Sequence, residues 1–160
     1  MKWLAFAAVL AGVGCTEPRA ADPVLTPAPA LEARLELSDS LPRAGAEFVA
    51  VVRLYGRNAA SAASFTARIA YDSAGLRYVA EVPFTDGATR VTNPTPGLVR
   101  SAGLRAEGFT DGTLAAYRFV VIDPGAVSRM RLTLDELHET SRTDALKTLK
   151  VVAAPSMRVP

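Results

Sequence analysis

The chain has 160 residues, a formal net charge of +2 and a hydrophobic content of 49%, which is enough apolar material for one folded domain. A charge this close to neutral gives no electrostatic basis for binding nucleic acid. The sequence holds one cysteine and one histidine, so an intramolecular disulfide and a zinc site built from several cysteines or histidines are both excluded.

Residues 1–14 are typical of an export signal. Lys2 supplies a positive charge, residues 4–13 form an apolar run, and small residues precede Cys15. The run is too short to cross a bilayer, which takes about 20 residues. With Cys15 the segment resembles the signal peptide of bacterial lipoproteins, although Gly12 stands where those signals usually have leucine. The resemblance implies that Cys15 is lipidated and begins the mature chain; an ordinary signal peptide followed by a chance cysteine is the alternative.

Residues 15–30 have a different composition, with four prolines in sixteen positions. Proline removes a backbone donor and fixes φ, so it opposes both helix formation and sheet pairing. We expect a disordered, proline-rich linker between the lipidated Cys15 and the folded domain. Whether this linker acts as a spacer is left open by the sequence.

From residue 31 onward, apolar and polar residues alternate, and a period of two is typical of strands with one buried face. The pattern predicts strands at residues 31–37, 47–55, 65–71 and 76–82. Further along the chain it predicts a pair of short strands at 98–101 and 104–107, followed by strands at 115–121, 130–134 and 146–153. Residues 83–97 are rich in glycine and proline and indicate a loop, and 135–142 suggest at most one turn of helix.

Strands at this spacing predict an all-β fold, a jelly-roll or immunoglobulin-like β-sandwich of about nine strands. We place the sandwich at residues 31–153 and a C-terminal tail at residues 154–160.

The tetrapeptide Phe-Thr-Asp-Gly occurs twice, at residues 84–87 and 109–112. Asp-Gly is a strong turn dipeptide, because glycine accepts positive φ and aspartate bonds its own backbone. A shared calcium site is the alternative interpretation, but calcium takes about six to eight oxygen ligands and each copy offers one carboxylate. We therefore interpret the repeats as turns and expect no metal and no cofactor.

The order of these segments resembles that of the cohesin domain, the receptor module of cellulosome scaffolds, and of its carbohydrate-binding relatives. Five pieces carry the resemblance, and they occur in the family's order: the strand at 47–55 after Gly45, the strand at 65–72 ending in Tyr-Asp, the leucine-led strand at 76–79, the Asp-Gly strand at 111–121, and the strand at 130–139 with its acidic end. The match covers about residues 31–152 and implies a non-catalytic β-sandwich whose sheet face binds a protein partner.

In cohesins that bind dockerins, the strand before the Tyr-Asp pair carries an Asn/Asp pair on its outer face. The corresponding positions here are Ser64 and Thr66, so the family's carboxylate and amide are absent. The resemblance implies a candidate partner-binding face made of Ser64, Thr66, Arg68 and Arg118, with a partner that is dockerin-like or of another kind.

Catalytic patterns are scarce in this sequence. Neither a Gly-x-Ser-x-Gly elbow nor a glycine-rich phosphate loop with lysine occurs, and His138 has no second histidine near it. We therefore predict that the chain is not an enzyme.

Two other functions stay open. One is a carbohydrate-binding module of polysaccharide-utilising machinery, for which Tyr55, Tyr78 and Phe109 are candidate aromatic platforms on which a sugar ring could stack. The other is a structural envelope lipoprotein without a specific ligand. All three functions place the protein outside the cytoplasm, lipid-anchored to a bacterial membrane. Thr16 after the cysteine, in place of an aspartate that would resemble an inner-membrane retention signal, favours the outer membrane or cell surface.

Overall fold

A computed structural model of the chain describes residues 31–56, 59–109, 111–141, 144–145 and 149–157. The predicted signal peptide, the lipidated Cys15 and the proline-rich linker at 15–30 lie outside these residues. The described part is built from strands, as the alternating pattern predicts. Their bounds are β1 Leu31–Leu37, β2 Glu47–Gly56, β3 Ala62–Ala70, β4 Leu76–Glu81, β5 Thr89–Thr95, β6 Leu98–Leu104, β7 Thr113–Val121, β8 Arg131–Glu139 and β9 Leu149–Met157.

Two sheets contain these strands. One sheet has five strands in the order β4-β7-β2-β1-β9, and the other has four in the order β5-β6-β3-β8. Neighbours pair antiparallel except β1 and β9, which run parallel with Leu31 opposite Leu149 and Leu37 opposite Met157. The prediction of an all-β jelly-roll sandwich of about nine strands is confirmed for the described part of the chain.

The structure differs from the predicted strands in four places. The pair of short strands predicted at 98–101 and 104–107 is one continuous strand, β6, which ends at Leu104. β5 occupies most of the segment predicted as a loop, and its hairpin with β6 turns at Pro96 and Gly97. Asp135 to Glu139 lie in β8 rather than in a turn of helix. The last strand extends to Met157, so the sandwich continues past the predicted boundary at residue 153.

The core lies between the sheets and centres on aromatic rings. The Phe119 ring stacks on Phe48 with centroids 5.7 Å apart, and Tyr71 and Tyr78 meet its ring edge-to-face at 5.2 and 5.8 Å. Phe119 is completely buried, and burying a ring of this size stabilises the fold by roughly 1.5–3 kcal/mol. Tyr71 directly follows β3, so its contact with Phe119 fixes the end of that strand against the opposite sheet.

At the β5 edge a buried arginine joins the two sheets. Only 6% of the Arg90 side chain is exposed, and its guanidinium donates to both carboxylate oxygens of Asp86 at 2.8 and 2.7 Å. It also donates to the Leu114 carbonyl oxygen on β7 at 2.6 Å and lies 4.3 Å from the centroid of the Phe84 ring. This pairing holds the pKa of Asp86 well below its usual range. Arg90 therefore fixes β5, and with it the edge of the four-stranded sheet.

Within the described residues, no helix has both the length and the apolar character required to cross a bilayer.

Candidate functional site: the outer face of the four-stranded sheet

β3 shows which side of its sheet faces outward. Phe65 and Ala67 are buried against the other sheet, while Ser64, Thr66 and Arg68 alternate with them and point away from the core. Three of the four predicted face residues therefore lie together on one strand, as the alternation requires.

The neighbouring strands place apolar side chains beside this row. Thr66 is opposite Ala102 of β6, which is in turn opposite Val91 of β5. Leu104 of β6 is opposite Ser64. Val91 is 66% exposed and Leu104 is 59% exposed, which is unusual for large aliphatic side chains. We call the outward residues of these strands and of β8 the β5–β8 face.

On the β5–β8 face, Asp135 and Glu136 accept hydrogen bonds from side chains of β3. Arg68 donates to both carboxylate oxygens of Asp135 on β8, at 2.8 and 2.5 Å. The Thr66 hydroxyl donates to a carboxylate oxygen of Glu136 at 3.1 Å. Arg68 and Thr66, two of the predicted face residues, thus have partners within the protein. Their partners belong to the acidic end of β8, which is therefore part of this face.

Two shallow cavities interrupt the face. One, of about 190 Å³, is lined by Thr66, Val91, Asn93, Arg100, Ser101 and Ala102. The other, of about 430 Å³, lies at the opposite end of the same strands and includes Ser64, Leu104 and His138. His138 is half-buried and lies directly across from Ser64. The face therefore combines apolar side chains, hydroxyls and charges, as protein-recognition surfaces commonly do.

Arg118 does not belong to this face. It lies on β7 in the five-stranded sheet, and its guanidinium is 3.7 Å from a carboxylate oxygen of Glu47 on the neighbouring strand. Alternation along a strand predicts that Arg118 points outward, which is correct, but it does not indicate which of the two sheets carries the strand.

The candidate sugar platforms have different environments. Phe109 is completely buried against Phe65 and cannot stack on a ligand. The Tyr55 hydroxyl donates to Glu36 and the Arg34 guanidinium lies over its ring, 4.9 Å from the centroid. Tyr78 lines a groove of about 320 Å³ together with Tyr71, Leu76, Pro94, Pro96 and Ile122.

The two Asp-Gly repeats form turns with different surroundings. Asp111 accepts from the backbone and hydroxyl of Thr113, both at 2.9 Å, and Asp86 is paired with Arg90. Gly87 has φ +75° and open space around it, whereas Gly112 has φ +71° and a Cβ there would lie 2.4 Å from a backbone oxygen. In the described part of the chain, no three histidine, cysteine or acidic side chains are grouped so that they could hold a metal ion.

The outer surface of the five-stranded sheet carries a buried carboxylate that sequence reasoning missed. Glu36 is only 4% exposed although it points away from the core, and it accepts from the Tyr55 hydroxyl. The Arg53 guanidinium lies 3.8 Å from its other oxygen. Burial and, after it, the hydrogen bond to Glu36 raise the pKa of Tyr55. These contacts fix β1 to β2 at the sheet surface.

Solved structures share this arrangement of two sheets. The sixth cohesin of scaffoldin B from Acetivibrio cellulolyticus, solved in complex with a mutant dockerin, has a TM-score of 0.58 at 14% identity, over 81% of this chain and 99% of that one. The second type II cohesin module of ScaA from the same organism has a TM-score of 0.59 at 14% identity, over 79% and 95%. The chain has the cohesin fold.

A third similar cohesin comes from outside the cellulosome. The non-cellulosomal cohesin from the hyperthermophilic archaeon Archaeoglobus fulgidus has a TM-score of 0.57 at 15% identity, over 82% of this chain and 90% of that one. No family model and no curated protein matches the sequence. The structural similarity establishes a shared cohesin fold, but at identities this low it establishes nothing about function. The function therefore has to be argued from the exposed residues of this chain.

Proposed function

We propose that this chain is a non-catalytic recognition module that binds a protein partner through the β5–β8 face. The observation that carries the proposal is the exposure of Val91 and Leu104 beside Ala102, with charged and hydroxyl side chains around them. Contiguous apolar side chains with a polar rim mark protein-binding surfaces. Cohesins of the same fold have been solved in complex with dockerins, which supports a protein partner of that general kind.

A photo-crosslinking experiment tests this proposal in the cell envelope. The full chain is expressed with a photoreactive amino acid in place of Val91, Leu104 or, as the matched control, Ile122. Ile122 is also an exposed aliphatic residue, at 53%, but it lies outside the face. We expect a discrete protein adduct from the first two positions and none from the control. Absence of an adduct at both face positions would contradict the proposal and favour a structural lipoprotein without a specific ligand.

The partner class is tested with purified dockerins. Ser64 and Thr66 replace the Asn/Asp pair of dockerin-binding cohesins, and Thr66 is already bonded to Glu136. We therefore expect a panel of dockerins to bind weakly or not at all to the full chain in surface plasmon resonance. Tight binding that is lost in Val91→Asp and kept in Ile122→Asp would identify a dockerin as the partner.

A carbohydrate ligand is the second candidate, and the groove beside Tyr78 favours it. Two tyrosines and two prolines provide apolar surfaces of the kind on which sugar rings stack. Retention on insoluble polysaccharide that disappears in Tyr78→Ala supports this candidate, and retention unchanged by that substitution removes it.

We further propose that the domain is exported and tethered to the envelope by lipid on Cys15. The proposal rests on the signal-like residues 1–14 and the single cysteine that follows them. Metabolic labelling with an alkyne fatty acid is expected to mark the wild-type chain and not Cys15→Ser. Equal labelling of the two, or a soluble periplasmic wild-type chain, contradicts the tether.

A further inference from the structure

Two arginines lie directly opposite each other on the β5–β8 face. Arg68 of β3 pairs with Arg100 of β6 in the antiparallel register, and both side chains are exposed. Like charges at directly opposed positions destabilise a sheet. Arg68 is neutralised by its two bonds to Asp135. The Arg100 guanidinium, in contrast, makes no hydrogen bond or ion pair with any residue that the structure describes.

Among the residues that the structure describes, none pairs a carboxylate with Arg100. Its other cross-strand neighbour is Asn93 on β5, which is neutral. The acidic groups of the face lie two strands away on β8, where Asp135 and Glu136 are engaged by Arg68 and Thr66. The protein therefore carries a guanidinium without a paired carboxylate on the surface that we propose as the binding site.

Apolar side chains adjoin this charge. Val91 and Ala102 line the cavity of about 190 Å³ that also includes Arg100. A partner that covers this cavity removes the guanidinium from water, and a desolvated arginine needs an anionic partner with matching geometry.

We propose that Arg100 binds a carboxylate of the protein partner, so that the recognised segment carries an Asp or Glu next to an apolar side chain. This inference rests on the proposed function. A single carboxylate fits better than a polyanion, because Asp135 and Glu136 on the same face repel extended negative charge. Arg100 then acts as a specificity determinant, because a partner that covers its guanidinium without supplying a carboxylate leaves that charge desolvated and unpaired.

The probe is a displayed library of two-helix miniproteins with randomised surface positions, selected on the full chain. Clones that lose binding to Val91→Asp bind the β5–β8 face, and these are retained. Among them we expect enrichment of Asp or Glu and at least tenfold weaker binding to Arg100→Gln. Arg77→Gln is the matched control, because Arg77 is an exposed arginine on β4, outside the face, and this variant should bind as the wild type does.

Two further measurements separate recognition from a structural role. Replacing the clone's acidic residue by Lys and combining it with Arg100→Glu should restore the lost affinity. The free Arg100→Gln protein should unfold at the same denaturant concentration as the wild type or a higher one, because a like-charge pair has been removed.

Each outcome has a defined consequence. Face-binding clones without acidic enrichment, whose affinity changes less than twofold in Arg100→Gln, overturn this inference and leave protein recognition standing. A destabilised Arg100→Gln protein assigns the residue a structural role and also overturns it. A library that yields no clone dependent on Val91 overturns the proposed function and this inference with it.

Discussion

Removing Asp86 should destabilise the protein more than removing its partner Arg90. Asp86→Ala leaves a guanidinium that is only 6% exposed without a counter-charge. Breaking a buried pair in this way costs about 3–5 kcal/mol, and because the Asp86 side chain is 26% exposed we expect a loss near 3 kcal/mol. Arg90→Met removes the charge, lets Asp86 hydrate and keeps an apolar chain against Phe84. Its main cost is the lost bond to the Leu114 carbonyl, about 1.5–2 kcal/mol, the lower part of the range for a hydrogen bond from a charged donor.

Urea unfolding of the full chain, followed by far-ultraviolet circular dichroism, measures both free energies of unfolding. Glu47→Ala is the control, because its carboxylate pairs with Arg118 at the exposed surface and its loss should have no measurable effect. The lowered pKa of Asp86 adds a pH dependence. A carboxylate with a depressed folded pKa stabilises above about pH 4, so the gap between the wild type and Asp86→Ala should narrow as the pH falls below that value. If Arg90→Met is as destabilising as Asp86→Ala, or if both variants unfold as the wild type does, the buried-charge reasoning is refuted.

The repeated Asp-Gly turns give a matched pair of substitutions. Gly112→Ala should lower the free energy of unfolding by more than about 2 kcal/mol, because positive φ and a close backbone oxygen both oppose a Cβ, whereas Gly87→Ala, where only φ opposes it, should lower it by about 1 kcal/mol. Equal unfolding midpoints for the two variants would contradict this prediction. Phe119→Ala should lower the free energy of unfolding by about 3–5 kcal/mol in the same urea assay, and a smaller loss would show that the core collapses around the cavity. The Arg129 guanidinium, bonded to Asp72, holds the pKa of that carboxyl below its usual value, so its stabilising effect is present above the usual pKa and fades as the pH falls. Carbon-detected NMR titration should show the pKa of Asp72 rising in Arg129→Gln, and an unchanged value would show that the ion pair does not persist in solution.

Alternation predicted the strands whose inward residues are apolar. In β3, Phe65, Ala67 and Ile69 all face the core, so a period of two is visible in the letters alone. β5 was missed because its pattern is inverted: Arg90 points inward and is buried, and Val91 points outward and is exposed. A buried ion pair of this kind depends on residues from other strands, and sequence periodicity cannot show it.

The end of β8 was predicted as a turn of helix, and a β-bulge explains why its sequence does not alternate like a strand. Leu134 and Leu137 are both buried but stand three positions apart, a spacing that indicates helix. The register of β8 against β3 shifts between Thr66 and Ala67, and the extra residue on β8 brings Leu137 back to the core. Arg118 was wrongly grouped with the β3 residues for a similar reason. β7 and β3 show the same alternation, and only the long-range pairing of strands places them in different sheets.

The parallel pairing of β1 with β9 determines how the domain responds to mechanical force. β1 lies between β2 and β9, so a pull through the residues before Leu31 acts along a strand held on both sides. When the opposing pull comes from a partner on the β5–β8 face, the hydrogen bonds of β1 are loaded in shear and share the force, instead of opening one after another. Under the proposed tether and partner, resistance to flow or drag therefore depends on the rate at which β1 is sheared from β2 and β9, and not on the equilibrium stability of the domain.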